Sequence, residues 1–567
     1  MPVANSTDYA VIACYILLMI GVGVYVMRFN STASEYFRGG SRIPWLVAGL
    51  SCFMSGFSAW TFTGGAGVAY TSGIAVIGLY IGNGLSFLLG YFIFAARWRR
   101  TRISTVMEYL SDRFGPATHQ TFSWATIVFQ LFTSATALYG LSLFVSTACQ
   151  FSVTGTILVT GGVILSYSVL GGLWAVVVAD FLQASILLPF CIVLAAASLV
   201  HVGGVSGLVH SLPPEMKTIH LRGEFGWIYL ACWAVMVSFG YNTAAMAQRY
   251  FSVENERAAK RVALLCCGLF FLGAFLWFIP PMAMRIVYPN LHAIWPQLAN
   301  PNEASYVAAS LTFLPHGLIG VMLAAMFSAT MASLSAQFNL KSAILSKDIY
   351  QTLFRPRANE RELLFVGAFM TFLVGGLTTI LAVMMASRGE SIFEVMMVFN
   401  TLISLSYGPP ALLGLVFRRA PWWSGMTTFA TGLILGGLGA FVFRWTFIEQ
   451  IVFVVPSTFA VFFLSMLLDR QESPGRERLF KKLDTPVDPS EISDVPDFSR
   501  PVFRFLSRAV GSIGVASLLL LIPNPAGARM TILSFSAITL AVAASLWFVP
   551  GGGRSARETV TMAEVKL

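Results

Sequence analysis

The stretch Met54-Ser55-Gly56-Phe57-Ser58-Ala59-Trp60-Thr61-Phe62-Thr63-Gly64-Gly65-Ala66-Gly67 decides how the chain is read. It lies midway along an apolar run over residues 45–72, yet it concentrates glycine and hydroxyl side chains where a lipid-embedded helix most needs regular winding. Peptide N–H and C=O groups have no water to turn to in hydrocarbon, so a span that breaks at mid-depth must find protein, ion or solute partners for them. Five spans later, Ser238-Phe239-Gly240-Tyr241-Asn242-Thr243 repeats the pattern. Paired interrupted spans in corresponding halves of a chain point to the midplane site of an inverted-repeat transporter. Glycine-rich runs also serve close helix packing; the pairing, with amide or hydroxyl groups in both runs, favours a site.

Composition agrees with a membrane-embedded chain. Of 567 residues 56% are hydrophobic and 11% charged, against about 25% charged in soluble proteins. An ordinary water-facing surface is excluded. At about 20 residues per crossing, the apolar runs predict an all-α integral membrane protein of about fifteen spans. They lie near 8–28, 45–72, 74–96, 121–148, 153–171, 174–200, 226–247, 262–284, 304–337, 362–386, 392–417, 422–443, 450–468, 506–523 and 530–549. The organisation expected is a first span and loop over 1–44 and two inverted repeats of five spans over 45–225 and 226–420. Peripheral spans over 421–469 follow, then a cytoplasmic linker over 470–505, a terminal hairpin over 506–549 and a tail over 550–567.

The net charge of +10 reads as a topology signal. If the N-terminus is outside, every Lys and Arg falls on the cytoplasmic side except Lys217, Arg222, Arg285, Arg388, Arg444 and Arg529, as the positive-inside rule requires. The C-terminus is then cytoplasmic and the chain sits in the plasma (inner) membrane. Basic residues form short clusters with no aromatic-interleaved basic domain, so no nucleic-acid partner is expected. Cys14, Cys52, Cys149, Cys191, Cys232, Cys266 and Cys267 lie in or beside apolar runs without CxxC spacing and read as embedded hydrophobes. No Lys or Arg precedes Arg28, so the first apolar run is a true span rather than a cleaved signal. The linker is charged and proline-bearing, which suits a tether with little core of its own.

Two more polar features sit inside spans. Asp180 follows Leu173-Trp174-Ala175-Val176-Val177-Val178-Ala179, where a carboxylate costs about 2.5–3.5 kcal/mol on insertion scales and is functional by default. Its other reading is a packing Asp near an interface. Span 9 carries Ala329-Thr330-Met331-Ala332-Ser333-Leu334-Ser335-Ala336-Gln337-Phe338-Asn339. Hard cations take oxygen ligands, and hydroxyls here facing carbonyls released at a break would supply them, although such hydroxyls also bond the preceding turn.

These residues resemble the sodium/solute symporters of the leucine-transporter-like fold, over about residues 8–468. The most specific stretch is Tyr167-Ser168-Val169-Leu170-Gly171-Gly172-Leu173-Trp174-Ala175-Val176 with Asp180 and Gln183, similar to the family's tight Gly-Gly turn between two helices. Ser58-Ala59-Trp60, Gln248-Arg249 and Ser342-Ala343-Ile344 through Asp348-Ile349-Tyr350 support it. The resemblance implies a 5+5 inverted repeat and a sodium ion, co-transported rather than prosthetic. That ion would be held by the carbonyls of Met54, Phe57 and Ala329 and the hydroxyl of Ser333. Ala332 stands where the family has a second hydroxyl. Asp180 resembles the family's acidic residue on the ion path, with Ser335 available to a second site; Ala332 and Ala336 favour one sodium over two. By position the solute pocket is lined by Thr61, Thr63, Tyr80, Asn83, Phe239, Asn242 and Asn400, with Phe239 as an aromatic gate. Ile81 and Thr61 replace polar residues of sugar-transporting members, so a hexose is not the first choice.

The function expected is therefore sodium-coupled import of a small polar organic solute, an organic acid, amino acid or sugar-like molecule, by alternating access. Lipid is the surrounding partner and no obligate protein partner is inferred. Proton coupling on the same fold, or a transporter-fold sensor, are the alternatives. An intramembrane enzyme is disfavoured: His119, His201, His210, His220, His292 and His316 fall in or near loops, and no HExxH is present.

Overall fold

Runs of Leu, Ala, Phe and Val with few charges wind into helices, because winding is how a segment in lipid satisfies its own peptide groups. The structure, a computed structural model, describes residues 5–26, 41, 43–57, 59–103, 105–149, 151–295, 300–388, 392–469, 473–488 and 499–549. Among these it holds helices and no strand. Ten helices are long and apolar enough to cross a membrane, or eleven when one bent pair counts as a span; Ser6–Val22, Val153–Ser166 and Trp227–Tyr241 are shorter apolar helices. The predicted tail, 550–567, lies outside the described residues.

Helix α1 is Ser6–Val26. The second expected span is α2 (Trp45–Gly56), a 3₁₀ turn (Ala59–Phe62) and α3 (Gly64–Ser72), with a 58° bend between the halves. Phe57 ends α2 in extended geometry, φ −103° and ψ 127°. The break is encoded locally. A Cβ on Gly64 would come within 2.5 Å of the Trp60 indole nitrogen, so this glycine lets the turn fold its own tryptophan back over α3. Then come α4 (Ala75–Arg100), α5 (Val106–Phe114), α6 (Pro116–Cys149) and α7 (Val153–His201). The backbone stays helical throughout α7, 49 residues. A straight helix of that length would run about 73 Å; the spans expected over 153–171 and 174–200 are joined by helical backbone in place of the turn expected at Gly171-Gly172.

A second interruption of similar form follows further along the chain. Helix α8 (Trp227–Tyr241) stops, Asn242 and extended Thr243 intervene, and α9 (Ala244–Phe251) resumes. Following are α10 (Glu256–Val287), α11 (Ser305–Phe313), α12 (Leu318–Phe354), α13 (Glu360–Arg388), α14 (Ile392–Val416), α15 (Ser424–Gly437) and α16 (Phe447–Met466). Helix α12 packs on α7, α6, α13, α1 and α2, and it touches the 3₁₀ turn of the first break.

Segments that charge counting groups together meet at one end of the bundle. Arg100 pairs with Glu256 at 2.9 Å, Arg99 donates to the Val253 carbonyl, and Arg113 donates to the carbonyls of Gly414 and Ala420. The expected tether is more ordered than its composition implied. Residues Pro474–Asp484 form α17, whose spacing buries Leu479, Phe480 and Leu483, and Arg102 grips the carbonyls of Lys482 and Pro486. The last hairpin, α18 (Ser499–Leu518) and α19 (Arg529–Trp547), packs on α7.

The first span is tied in by a carboxylate. Asp8 is buried, and its Oδ1 accepts from the backbone N–H of Gly317 at 2.6 Å and of Gly320 at 2.9 Å. It thereby caps the start of α12 from another helix, where orphan N–H groups and the dipole favour an anion. Replacement Asp8→Ala is expected to cost about 1.5–3 kcal/mol, read as a lowered thermal unfolding midpoint of the purified protein.

Candidate functional site

Between the two breaks lies a cavity of about 290 Å³. Ser55, Gly56, Trp60 and Thr61 reach it from the first break, Gly240, Tyr241 and Thr243 from the second, Tyr80 and Asn83 from α4, and Asn400, Ser404 and Tyr407 from α14. Helix α6 adds Thr126, Gln130 and Thr133, and α12 adds Ser333, Ala336 and Gln337. No charged side chain lines it among the described residues.

One wall is a stack of rings. Trp60 lies over Trp233 at 5.7 Å and 22° and over Tyr80 at 6.3 Å and 12°. Two of the rings carry a partnered polar tip: the Tyr80 hydroxyl meets that of Thr61, and the Trp233 indole donates to Asn83 Oδ1 at 2.9 Å. The Trp60 indole N–H is buried without a hydrogen-bond partner. Flat apolar faces with a few aimed polar atoms are the usual make-up of a small-molecule pocket.

Of the residues expected around the solute, Thr61, Tyr80, Asn83 and Asn400 line the cavity, whereas Thr63, Phe239 and Asn242 do not. Thr63 lies past the 3₁₀ turn, at the N-cap of α3 with φ −116° and ψ −87°. Phe239 packs on Phe459, and a Cβ on Gly408 would strike it. On a helix one residue is a 100° rotation, so Gly240 and Tyr241 face the cavity in its place. Asn242 is a stitch for the break. Its amide donates to the carbonyls of Ser86 at 3.1 Å and Ser238 at 3.0 Å. Ile81 does not line the cavity and is 38% exposed, so its apolar character carries no argument about the solute.

Of the residues expected around an ion, Met54, Phe57 and Ala329 are fully buried and Ser333 lines the cavity. The Met54 carbonyl accepts from the Phe57 N–H at 3.2 Å. Ser333 Oγ accepts from Gln337 Nε2 at 3.3 Å. Among the described residues no group of three or more His, Cys, Asp or Glu could hold a metal.

Asp180 and Ser335 share no hydrogen bond among the described residues. Ser335 donates to the Ala332 carbonyl of its own helix at 3.0 Å. Asp180, with no exposed surface, accepts from Ser51 at 2.5 Å and lies 3.6 Å from Arg249 Nη2. Arg249 Nε donates to Ser51 and Nη1 to Gln248, whose amide donates to Asn339 on α12. Four segments, α2, α7, α9 and α12, thus meet over one buried ion pair. The reading from sequence took Gln248-Arg249 as a family match and missed the pairing; a basic residue beside a broken span was its available signal. It also missed Trp60, Trp233, Gln130 and Gln337 as lining residues. The amides at 130 and 337 interrupt apolar spans and could have been found by the insertion-cost argument that found Asp180.

Comparison with known proteins follows this geometry. A family model described as "Sodium:solute symporter family" matches residues 36–432. The chain is similar to the sodium/glucose cotransporter 2 of Rattus norvegicus, 28% identical over 476 residues covering 76% of this chain and 71% of the relative. It is similar to the sodium/myo-inositol cotransporter 2 of Oryctolagus cuniculus, 29% identical over 469 residues covering 76% and 69%. In three dimensions it resembles a Na⁺-coupled sialic acid symporter solved in a substrate-bound outward-open state, with TM-score 0.73 and 23% identity over 83% of this chain and 99% of that one. That likeness is one of fold.

The ion pair makes a testable statement. Breaking a buried pair by removing one partner costs about 3–5 kcal/mol, while replacing both with apolar or neutral groups is often close to neutral. Arg249→Met is expected to lower the unfolding midpoint more than the double variant Asp180→Asn with Arg249→Met. Equal losses from the single and double variants would show that the charges do not stabilise each other.

Proposed function

The chain belongs to the sodium:solute symporter family, and on that premise we propose that it imports a small, neutral, hydroxylated solute by sodium-coupled alternating access. The uncharged cavity between two broken helices carries this reading. Amide and hydroxyl groups from Asn83, Asn400, Gln130, Gln337 and Thr61 offer both donors and acceptors to solute hydroxyls, and the stacked rings offer apolar faces to a carbon ring. An organic acid or amino acid would find no side-chain counter-charge there, only the dipole of a half-helix. The sugar and inositol substrates in the names of the relatives are of the same chemical class.

In this reading the helices form two inverted repeats of five, preceded by one span and followed by about four, with the basic end cytoplasmic. Sodium is cargo. The carbonyls of Met54, Phe57 and Ala329 and the hydroxyl of Ser333 hold it between α2 and α12. Binding satisfies peptide oxygens that the break leaves without helical partners, so an ordered break and a complete solute pocket go with the loaded ion. Each charge crossing 100 mV contributes about 2.3 kcal/mol, on the order of a fiftyfold solute ratio.

Uptake of labelled myo-inositol, glucose and a panel of small acids and amino acids into proteoliposomes, with sodium and proton gradients imposed separately, tests the reading. Sodium-driven uptake of a neutral polyol is expected. Uptake under a proton gradient alone, or solute binding without uptake under either, would replace it with the proton-coupled or sensor alternative. Ser333→Ala is expected to raise the half-saturating sodium concentration about tenfold, equivalent to about 1.4 kcal/mol of ligand energy. Thr61→Ala, by contrast, should weaken apparent solute affinity and leave sodium dependence in place.

A further inference from the structure

Helix α12 carries a lysine that is buried inside the protein. Lys341 has no exposed surface. Its ammonium donates to the Gln130 carbonyl at 3.1 Å and to Ser134 Oγ at 2.6 Å, and it lies 5.4 Å from the centre of the Phe338 ring. Among the described residues no carboxylate pairs with it. Titratable and charged groups on the neighbouring helices are engaged elsewhere: Asp180 of α7 with Arg249 of α9, His119 of α6 with Asp348, Asp8 of α1 with His316, Tyr15 of α1 with Ser328, and Glu362 of α13 with Tyr350 and Arg355.

The ammonium is connected to the cavity. Ser134 Oγ donates to Gln337 Oε1 at 2.5 Å, and Gln337 Nε2 donates to Ser333 Oγ at 3.3 Å. Ser333, Gln337 and Lys341 follow one another at four-residue intervals, which stacks them along one face of α12. Three hydrogen bonds therefore lead from the ammonium to Ser333. Their polarity opposes a cation. With Lys341 charged, the one Ser134 proton is shared between the Gln130 carbonyl at 2.7 Å and the Gln337 amide oxygen at 2.5 Å, and the amide N–H is what reaches Ser333.

We propose that Lys341 is a proton-binding site coupled through Ser134 and Gln337 to sodium at Ser333, so that sodium and the lysine's proton displace each other. This rests on the placement of sodium at Ser333 argued above. When sodium loads, the Lys341 proton leaves to water, the neutral amine accepts a hydrogen bond from the Ser134 hydroxyl, which keeps its proton, and the Gln337 amide is free to turn its oxygen toward the ion. When the proton returns, the amide turns back and sodium is expelled. Two unit charges on the order of 10 Å apart at an effective dielectric near 20 shift an equilibrium by roughly tenfold, and linkage makes the effect reciprocal. The direction in pH follows. Protonation of a lysine is favoured at low pH, so sodium affinity rises as pH rises.

The test uses radiolabelled sodium binding to the purified full-length protein at acidic and alkaline pH, together with a pH-sensitive dye in weakly buffered solution. Wild type is expected to bind sodium more tightly at alkaline pH and to release protons when sodium is added. Lys341→Gln should bind sodium about tenfold more tightly at acidic pH, with a flat pH profile and no proton release. Lys341→Arg keeps a charge that does not titrate, so its sodium affinity should stay low throughout, and it serves even if the glutamine variant does not fold. A pH profile unchanged in both variants, or sodium binding by wild type without proton release, would overturn the inference and leave the symport reading intact. Absence of sodium binding by wild type would overturn both.

Discussion

Two helices that stop inside a membrane-embedded bundle leave peptide groups without helical partners, and the rest of the molecule is arranged around satisfying them. The breaks serve each other. Tyr241, at the end of α8, donates its hydroxyl to the Gly56 carbonyl at the end of α2, 3.2 Å away. Trp98 of α4 donates to the Asn242 carbonyl at 2.8 Å, and Thr243 turns its hydroxyl back to Phe239. Side chains thus take up much of what the lost winding released. What they enclose is a small cavity whose walls belong to both halves of the chain, so a change in winding at either break alters its shape.

Charge is handled at the basic end of the same bundle. Asp180 and Arg249 share Ser51, and Lys341 is held by a carbonyl, a hydroxyl and a ring face. Buried ions are poor sources of stability, since desolvation offsets most of their attraction. Their placement on α2, α7, α9 and α12 gives them another effect. Each charged group contacts segments that carry a break or pack on one.

The breaks themselves were legible in the linear chain, since Gly64 must lack a Cβ for Trp60 to fold over it and Asn242-Thr243 comes just after Gly240-Tyr241 in an otherwise apolar run. Site residues were legible in proportion to how little they depended on rotation. Thr61, Tyr80, Asn83 and Asn400 face the cavity, whereas Phe239 and Asn242 sit one or two residues from positions that do. A resemblance aligned by sequence order carries no information about a 100° turn of a helix. The polar linker was read as a tether because its charge hides a short apolar stripe, Leu479, Phe480 and Leu483, that has something to bury against only once α5 is in place.

By itself the sequence determined that the chain lives in lipid, that it is helical, and where two of its helices give way. These follow from composition and from local sterics, which need no neighbours. Tertiary structure decided which side chains meet: Arg249 with Asp180, Trp60 with Trp233, Lys341 with Ser134 and, through Gln337, Ser333. Those pairs join residues far apart in the chain, and their contact depends on the rotation and depth of separate helices, quantities that hydropathy along one strand of residues does not encode.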